Sequence, residues 1–213
     1  MKGAGEPRKR TAILISGRGT NMAALIEAAR VGSYPAKIVL VISNVPGAPG
    51  LARAECESIT TKTIDHRSFG KDREAFERDL DRELVEYRVE LICLAGFMRR
   101  LTPWFVDRWE GRLLNIHPSL LPAFQGLDTH ARALAEGVKL HGATVHFVTA
   151  GLDEGPVIAQ SAVPVLQGDS AEALASRVLA VEGPLYAASL RFVASGEAKL
   201  GAGCVIFASE GSG

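Results

Sequence analysis

Cysteine is scarce in this chain of 213 residues, and Cys56, Cys93 and Cys204 are odd in number, far apart and without a Cys-x-x-Cys pair. That excludes a disulfide framework and a zinc knuckle, and it fits a reducing, cytoplasmic setting. Neither sign of charge is in excess: Lys plus Arg number 24 and Asp plus Glu 24, giving a formal net charge of +0. No global field then draws the chain to nucleic acid or to an anionic membrane, and the local Arg8-Lys9-Arg10 cluster reads as a solvated tail. Long apolar runs are missing, and Met1 to Arg10 is polar, which argues against a membrane span and a secretory leader. Repeats and low-complexity linkers are missing as well. What is present is 47% hydrophobic content in a length suited to one sizeable domain. The expected division is a flexible tail over 1–10, a single domain over 11–200 and a flexible tail over 201–213.

Strand-like and helical runs alternate through the first half. Ile13–Ser16, Ile38–Ser43, Thr61–Asp65, Leu91–Ala95 and Leu113–Ile116 read as strands, several apolar on consecutive positions, as in sheets covered on both faces. Asn21–Arg30, Gly50–Glu57 and Asp72–Tyr87 read as helices. In the last, Phe76, Leu80, Leu84 and Tyr87 recur at helical spacing, with Arg, Asp and Glu on the outside. This alternation predicts a doubly wound, mostly parallel α/β sheet, Rossmann-like, whose ligand crevice lies beyond the carboxyl ends of the strands. After Pro122 the pattern changes. A short helix over Thr129–Glu136 precedes strands over Ala143–Val148 and Pro156–Val165, which form a hairpin around a turn-rich loop. A long C-terminal helix over Ala171–Val193 carries a candidate break at Gly183-Pro184.

Polar signals gather at the ends of the predicted strands. Asn115 and His117 stand two residues apart where a buried strand ends, since Pro118 disfavours helix at His117. They share a face, so an amide donor and a titratable ring can polarise one carbonyl and move a proton beside it. Ser16-Gly17-Arg18-Gly19-Thr20-Asn21 follows a strand and opens a helix, a setting in which backbone N–H groups suit a phosphate. It is neither the Gly-x-Gly-x-x-Gly of dinucleotide folds nor a P-loop. Gly96 to Leu101 follows the fourth strand, and Phe97, Met98 and Leu101 suit the wall of a slot for a flat heteroaromatic ring. Asp153, in the hairpin loop, favours the charged form of an imidazole held near it. His130, His141 and His146 lack metal-ligand spacing, and His146, in an alternating strand, reads as a packed or surface residue.

With these residues in place the chain resembles the phosphoribosylglycinamide formyltransferase family over about residues 11 to 195. The resemblance rests on Ile15-Ser16-Gly17-Arg18-Gly19-Thr20-Asn21, Leu94-Ala95-Gly96-Phe97-Met98-Arg99, Leu114 to Pro122, His141 to Val148 and Leu152 to Ile158. It implies a formyltransferase fold and a reaction of de novo purine synthesis, in which the formyl group of 10-formyltetrahydrofolate passes to the amine of glycinamide ribonucleotide. It further implies a catalytic set of Asn115, His117 and Asp153, and ribonucleotide contacts from Gly19, Thr20, Asn21 and Glu182. Folate contacts are implied for Arg73, Met98, Arg99, Arg100, Leu101 and Asn115. No metal, nucleic acid or membrane is implied, and a homodimer is compatible with the family. Arg100, Gln125 and Asp128 depart from the residues expected at their positions. Three rivals are weighed. Methionyl-tRNA formyltransferase adds a C-terminal RNA-binding domain, which a neutral chain of this length is not expected to carry. Formyltetrahydrofolate hydrolase passes the formyl group to water and has a regulatory domain where only a short tail is expected here. A non-catalytic binder would keep the pocket without the Asn115, His117 and Asp153 set.

Overall fold

A computed structural model describes residues 7–208. Seven strands form one sheet: β1 (Lys9–Ile15), β2 (Ala36–Ser43), β3 (Thr61–Thr63), β4 (Leu91–Leu94), β5 (Leu113–His117), β6 (Leu140–Phe147) and β7 (Val157–Pro164). Their order is β3-β2-β1-β4-β5-β6-β7, parallel from β3 through β5 and antiparallel at β6 and β7. The direction of winding reverses between β1 and β4, so the crevice expected of such a sheet opens at their carboxyl ends.

The helices are α1 (Thr20–Arg30), α2 (Pro49–Cys56), α3 (Arg73–Glu86), α4 (Pro103–Arg108), α5 (Thr129–Ala135) and α6 (Ala171–Ala194). Period-two alternation on β1 sends Ile13 and Ile15 to the core shared with Met22, Leu25, Tyr186 and Leu190 of α1 and α6. Ala12 and Leu14 face the opposite core, with Phe76, Leu80 and Leu84 of α3 and Phe105 of α4. Both faces are therefore buried, which is why β1 and β4 are apolar on consecutive positions.

Four features differ from the sequence expectation. The first strand begins at Lys9, inside the stretch read as a tail, because Lys9 and Arg10 pair with Ala36 and Lys37 of β2. Near the other end, Val205–Phe207 pairs as β9 with β8 (Ala198–Leu200), so part of the second expected tail is also strand. Residues 1–6 and 209–213 of those stretches lie outside the described residues. Helix α6 runs unbroken through Gly183-Pro184. Gly183 serves packing there, since a Cβ on it would come within 2.9 Å of Ala24 Cβ on α1. Helix α4, six residues opened by Pro103, is too short for a periodic signal and was not expected from the sequence.

Candidate active site

Strand β5 sets the first two groups. Leu114 and Ile116 face α6, while Leu113, Asn115 and His117 share the other face. Leu113 is covered on that side, but Asn115 and His117 reach past the covering layer and line a cavity of about 710 Å³ at the carboxyl edge. The third group comes from the loop after β6, where Asp153 takes a left-handed backbone conformation, φ 52°. Its Oδ2 lies 3.4 Å from His117 Nδ1 and accepts from the Gly126 N–H at 3.0 Å. On the far side of the ring, His117 Nε2 is 3.0 Å from the Phe124 carbonyl. A carbonyl oxygen only accepts, so that hydrogen bond places a proton on Nε2 and leaves Nδ1 to meet the carboxylate.

Gly96, Phe97, Met98, Arg99, Arg100 and Leu101 form another wall of the cavity. This segment is tied to the glycine loop across the switch point. Ser16 N–H donates to Gly96 O at 3.1 Å, Met98 N–H donates to Ser16 Oγ at 2.7 Å, and Ser16 Oγ donates to Asn44 Oδ1 at 2.6 Å. Buried Glu77 of α3 anchors its far end by accepting from both the N–H and the hydroxyl of Thr102. Arg73 opens α3 one turn before Glu77 and is not among the residues lining the cavity.

Gly19 caps α1 at φ 68°, a left-handed backbone conformation that glycine adopts without steric cost. Thr20 is the first residue of the helix, directly after this turn. Asn21 Nδ2 donates to Glu182 Oε2 at 2.6 Å, which brings together two residues 161 positions apart. The close approach of α1 and α6 at Gly183 permits this contact. Burial pushes the Glu182 carboxyl above its usual range, against the Asn21 hydrogen bond and the charge of His117. Asn21 Oδ1 is buried with no hydrogen-bond partner among the described residues and is available as an acceptor.

Sequence reasoning missed three contributors. His146 is 2% exposed and lies directly across the β5–β6 ladder from Asn115, with Nε2 3.3 Å from Asn115 Nδ2. It is packed, one of the two placements the strand pattern left open, and it is also part of the site. The pairing register that sets His146 against Asn115 was not legible in the sequence. Gln125, whose side chain donates to Asp153 O at 3.2 Å, and Gly126 join through a loop that carried no periodic signal. His130 and His141 lie together on the hairpin side, 3.2 Å between ring nitrogens, with His130 on the cavity wall, and burial lowers His141 to about 4. Among the described residues no group of three or more His, Cys, Asp or Glu is placed to hold a metal ion.

A doubly wound sheet with an amide, an imidazole and a carboxylate at its carboxyl edge is the architecture of a group-transfer enzyme. The family model described as formyl transferase matches residues 9–190, and the chain belongs to that family. Its place there is with the phosphoribosylglycinamide formyltransferases. The protein of that name from Escherichia coli K12 is 45% identical, over 88% of this chain and 88% of its own length. A crystal structure of glycinamide ribonucleotide transformylase 1 from Symbiobacterium toebii superposes with a TM-score of 0.90 at 44% identity, covering 94% of each chain. The trifunctional purine biosynthetic protein adenosine-3 of Gallus gallus is 50% identical over 90% of this chain, which spans 19% of that longer protein.

Proposed function

We propose that this enzyme transfers the formyl group of 10-formyltetrahydrofolate to the amine of glycinamide ribonucleotide, giving formylglycinamide ribonucleotide and tetrahydrofolate. The observation that carries the reading is the convergence of Asn115, His117 and Asp153 at one end of a cavity large enough for a folate. It stands in a chain that matches a phosphoribosylglycinamide formyltransferase along most of both lengths. In this scheme the donor's flat ring enters the slot walled by Met98, Arg99, Arg100 and Leu101, with Asn115 at its inner end and Arg73 beside the mouth. The phosphate meets the turn of Gly19, Thr20 and Asn21, and Glu182 takes the ribose.

The amine nitrogen attacks the formyl carbon and forms a C–N bond. The carbonyl electrons move onto oxygen, where the Asn115 N–H and the His117 imidazolium hold the developing charge. Collapse re-forms the carbonyl and breaks the bond to the folate nitrogen, which leaves with the proton the amine gives up. Asp153 keeps His117 charged and orders the water that relays that proton. No step passes through a metal. The same reading treats residues 11–200 as the catalytic unit, assigns the activity to the cytoplasm, where Cys56, Cys93 and Cys204 stay reduced, and leaves a homodimer for sedimentation to test.

Absorbance of the folate product, followed with and without glycinamide ribonucleotide and in excess chelator, tests the proposal. Turnover is expected only when both substrates are present, and it should persist in chelator. Equal folate release without the amine would assign the site to hydrolysis, and loss of activity in chelator would end the metal-free scheme.

A further inference from the structure

His146 has no part in the proposed chemistry, yet it stands between two of its members. Its Nδ1 is 2.9 Å from the Phe147 carbonyl and its Nε2 is 3.3 Å from Asn115 Nδ2. The same Nε2 is 3.9 Å from Asp153 Oδ1. Because a carbonyl oxygen only accepts, Nδ1 carries a proton. Burial lowers the ring's pKa, against the opposing pull of the Phe147 carbonyl and Asp153, so the ring holds a single proton near neutrality. Nε2 is then a lone pair. Of the two ends of the Asn115 amide, only the NH₂ can meet it, which settles the orientation of that amide: one N–H donates to His146 and the other is left for the cavity.

The backbone builds this arrangement in. A Cβ on Gly155 would fall 1.7 Å from Phe147 O and 3.1 Å from His146 Nδ1, so only glycine lets the Asp153 loop close over the carbonyl that His146 uses. Two imidazoles thus face one carboxylate, at 3.4 Å for His117 and 3.9 Å for His146. A neutral His146 leaves the charge of Asp153 to His117.

We infer that His146 is a positioning residue: it locks the Asn115 amide with an N–H directed at the formyl oxygen and acts on the reaction only through Asn115. The inference rests on the reading of Asn115 as an oxyanion donor. His146→Phe keeps the ring's bulk and removes the acceptor. Its kcat should fall about tenfold, the scale of one lost hydrogen bond, with KM unchanged for either substrate. His146→Gln, which retains an acceptor, should recover part of the loss. In an Asn115→Ala background H146F should cost less than about twofold, because the two residues form one unit. A core-filling histidine would cost the same in both backgrounds, and that result would overturn the inference.

A second readout needs no substrate. In ¹⁵N NMR of the whole protein, the Asn115 side-chain amide pair should be displaced and slow to rotate in wild type. It should revert to ordinary amide positions in H146F, or in His146→Leu where H146F does not fold. An unchanged Asn115 signal would refute the inference even if turnover drops. Wild type that turns over without glycinamide ribonucleotide would instead count against the proposed acceptor and leave the amide measurement standing.

Discussion

Strands β1, β2 and β4 are apolar on consecutive positions because helices cover both faces, whereas β7 alternates between buried and exposed residues along its length. The two parts of the sheet also bend their backbones in different places. In the parallel part the non-glycine residues with positive φ are Ser58 and Arg88, just beyond the ends of α2 and α3, where a left-handed residue commonly ends a helix. On the hairpin side they are Phe124, Asp128 and Asp153, and all three serve the site: Phe124 through its carbonyl on His117, Asp128 and Asp153 as cavity wall. His130, His141 and His146 lie on that side too, and His66 alone of the histidines lies before β5. Packing regularity and functional strain are thus kept apart. The covered sheet fixes where β5 ends, and the hairpin half brings positive-φ and titratable residues to that end.

Removing the strand-borne donor should give the largest effect. Asn115→Ala is expected to lower kcat by about a hundredfold to a thousandfold, the usual cost of one oxyanion donor, with folding intact by calorimetry. A loss below about tenfold would mean that the rigid strand contributes less to the chemistry than the loops do. Next comes the loop-borne charge. Asp153→Asn preserves size and keeps an acceptor for the Gly126 N–H, so kcat should fall about a hundredfold while both KM values stay within about twofold. A KM effect without a kcat effect would make Asp153 a loop anchor and reverse its assignment.

Asn21→Ala tests the parallel half, where binding rather than chemistry is expected. Loss of the amide that meets Glu182 should weaken glycinamide ribonucleotide about tenfold and leave folate affinity unchanged, measured by titration calorimetry with each ligand alone. A larger loss for folate would move the phosphate away from the glycine turn. The smallest effect is one of pH. His141 is lowered to about 4 by burial, so between pH 6.5 and 4 the unfolded chain binds a proton that the folded chain does not. Stability should therefore decline as pH falls through that window. His141→Gln should flatten the decline in urea midpoints measured at pH 7 and pH 4.5, and an undiminished slope would locate the acid sensitivity outside the hairpin side.

Strands β1, β2, β4 and β5 and helices α1, α2 and α3 were legible because each carries its own apolar signal, and their ends agree with expectation to within a few residues. The pairing of Asn115 with His117 was legible for the same reason, since two residues on one strand two positions apart must share a face. Local chemistry also exposed the glycine turn, because a left-handed cap favours glycine. Elements too short to show a period, α4 and the β8–β9 pair, were not legible. The candidate break at Gly183-Pro184 does not occur because packing against α1 decides a helix's continuity more strongly than the loss of one backbone N–H.

What the sequence determined by itself is whatever depends on neighbours along the chain: strand and helix periods, turn chemistry, and the identity of groups able to move a proton. Tertiary structure alone decided which distant groups meet. The Asn21–Glu182 hydrogen bond spans 161 positions and depends on the fit of two helices, and His146 faces Asn115 only through the register of an antiparallel ladder. A one-residue slip in that ladder would turn His146 to the other face, and nothing within β6 alone records the pairing.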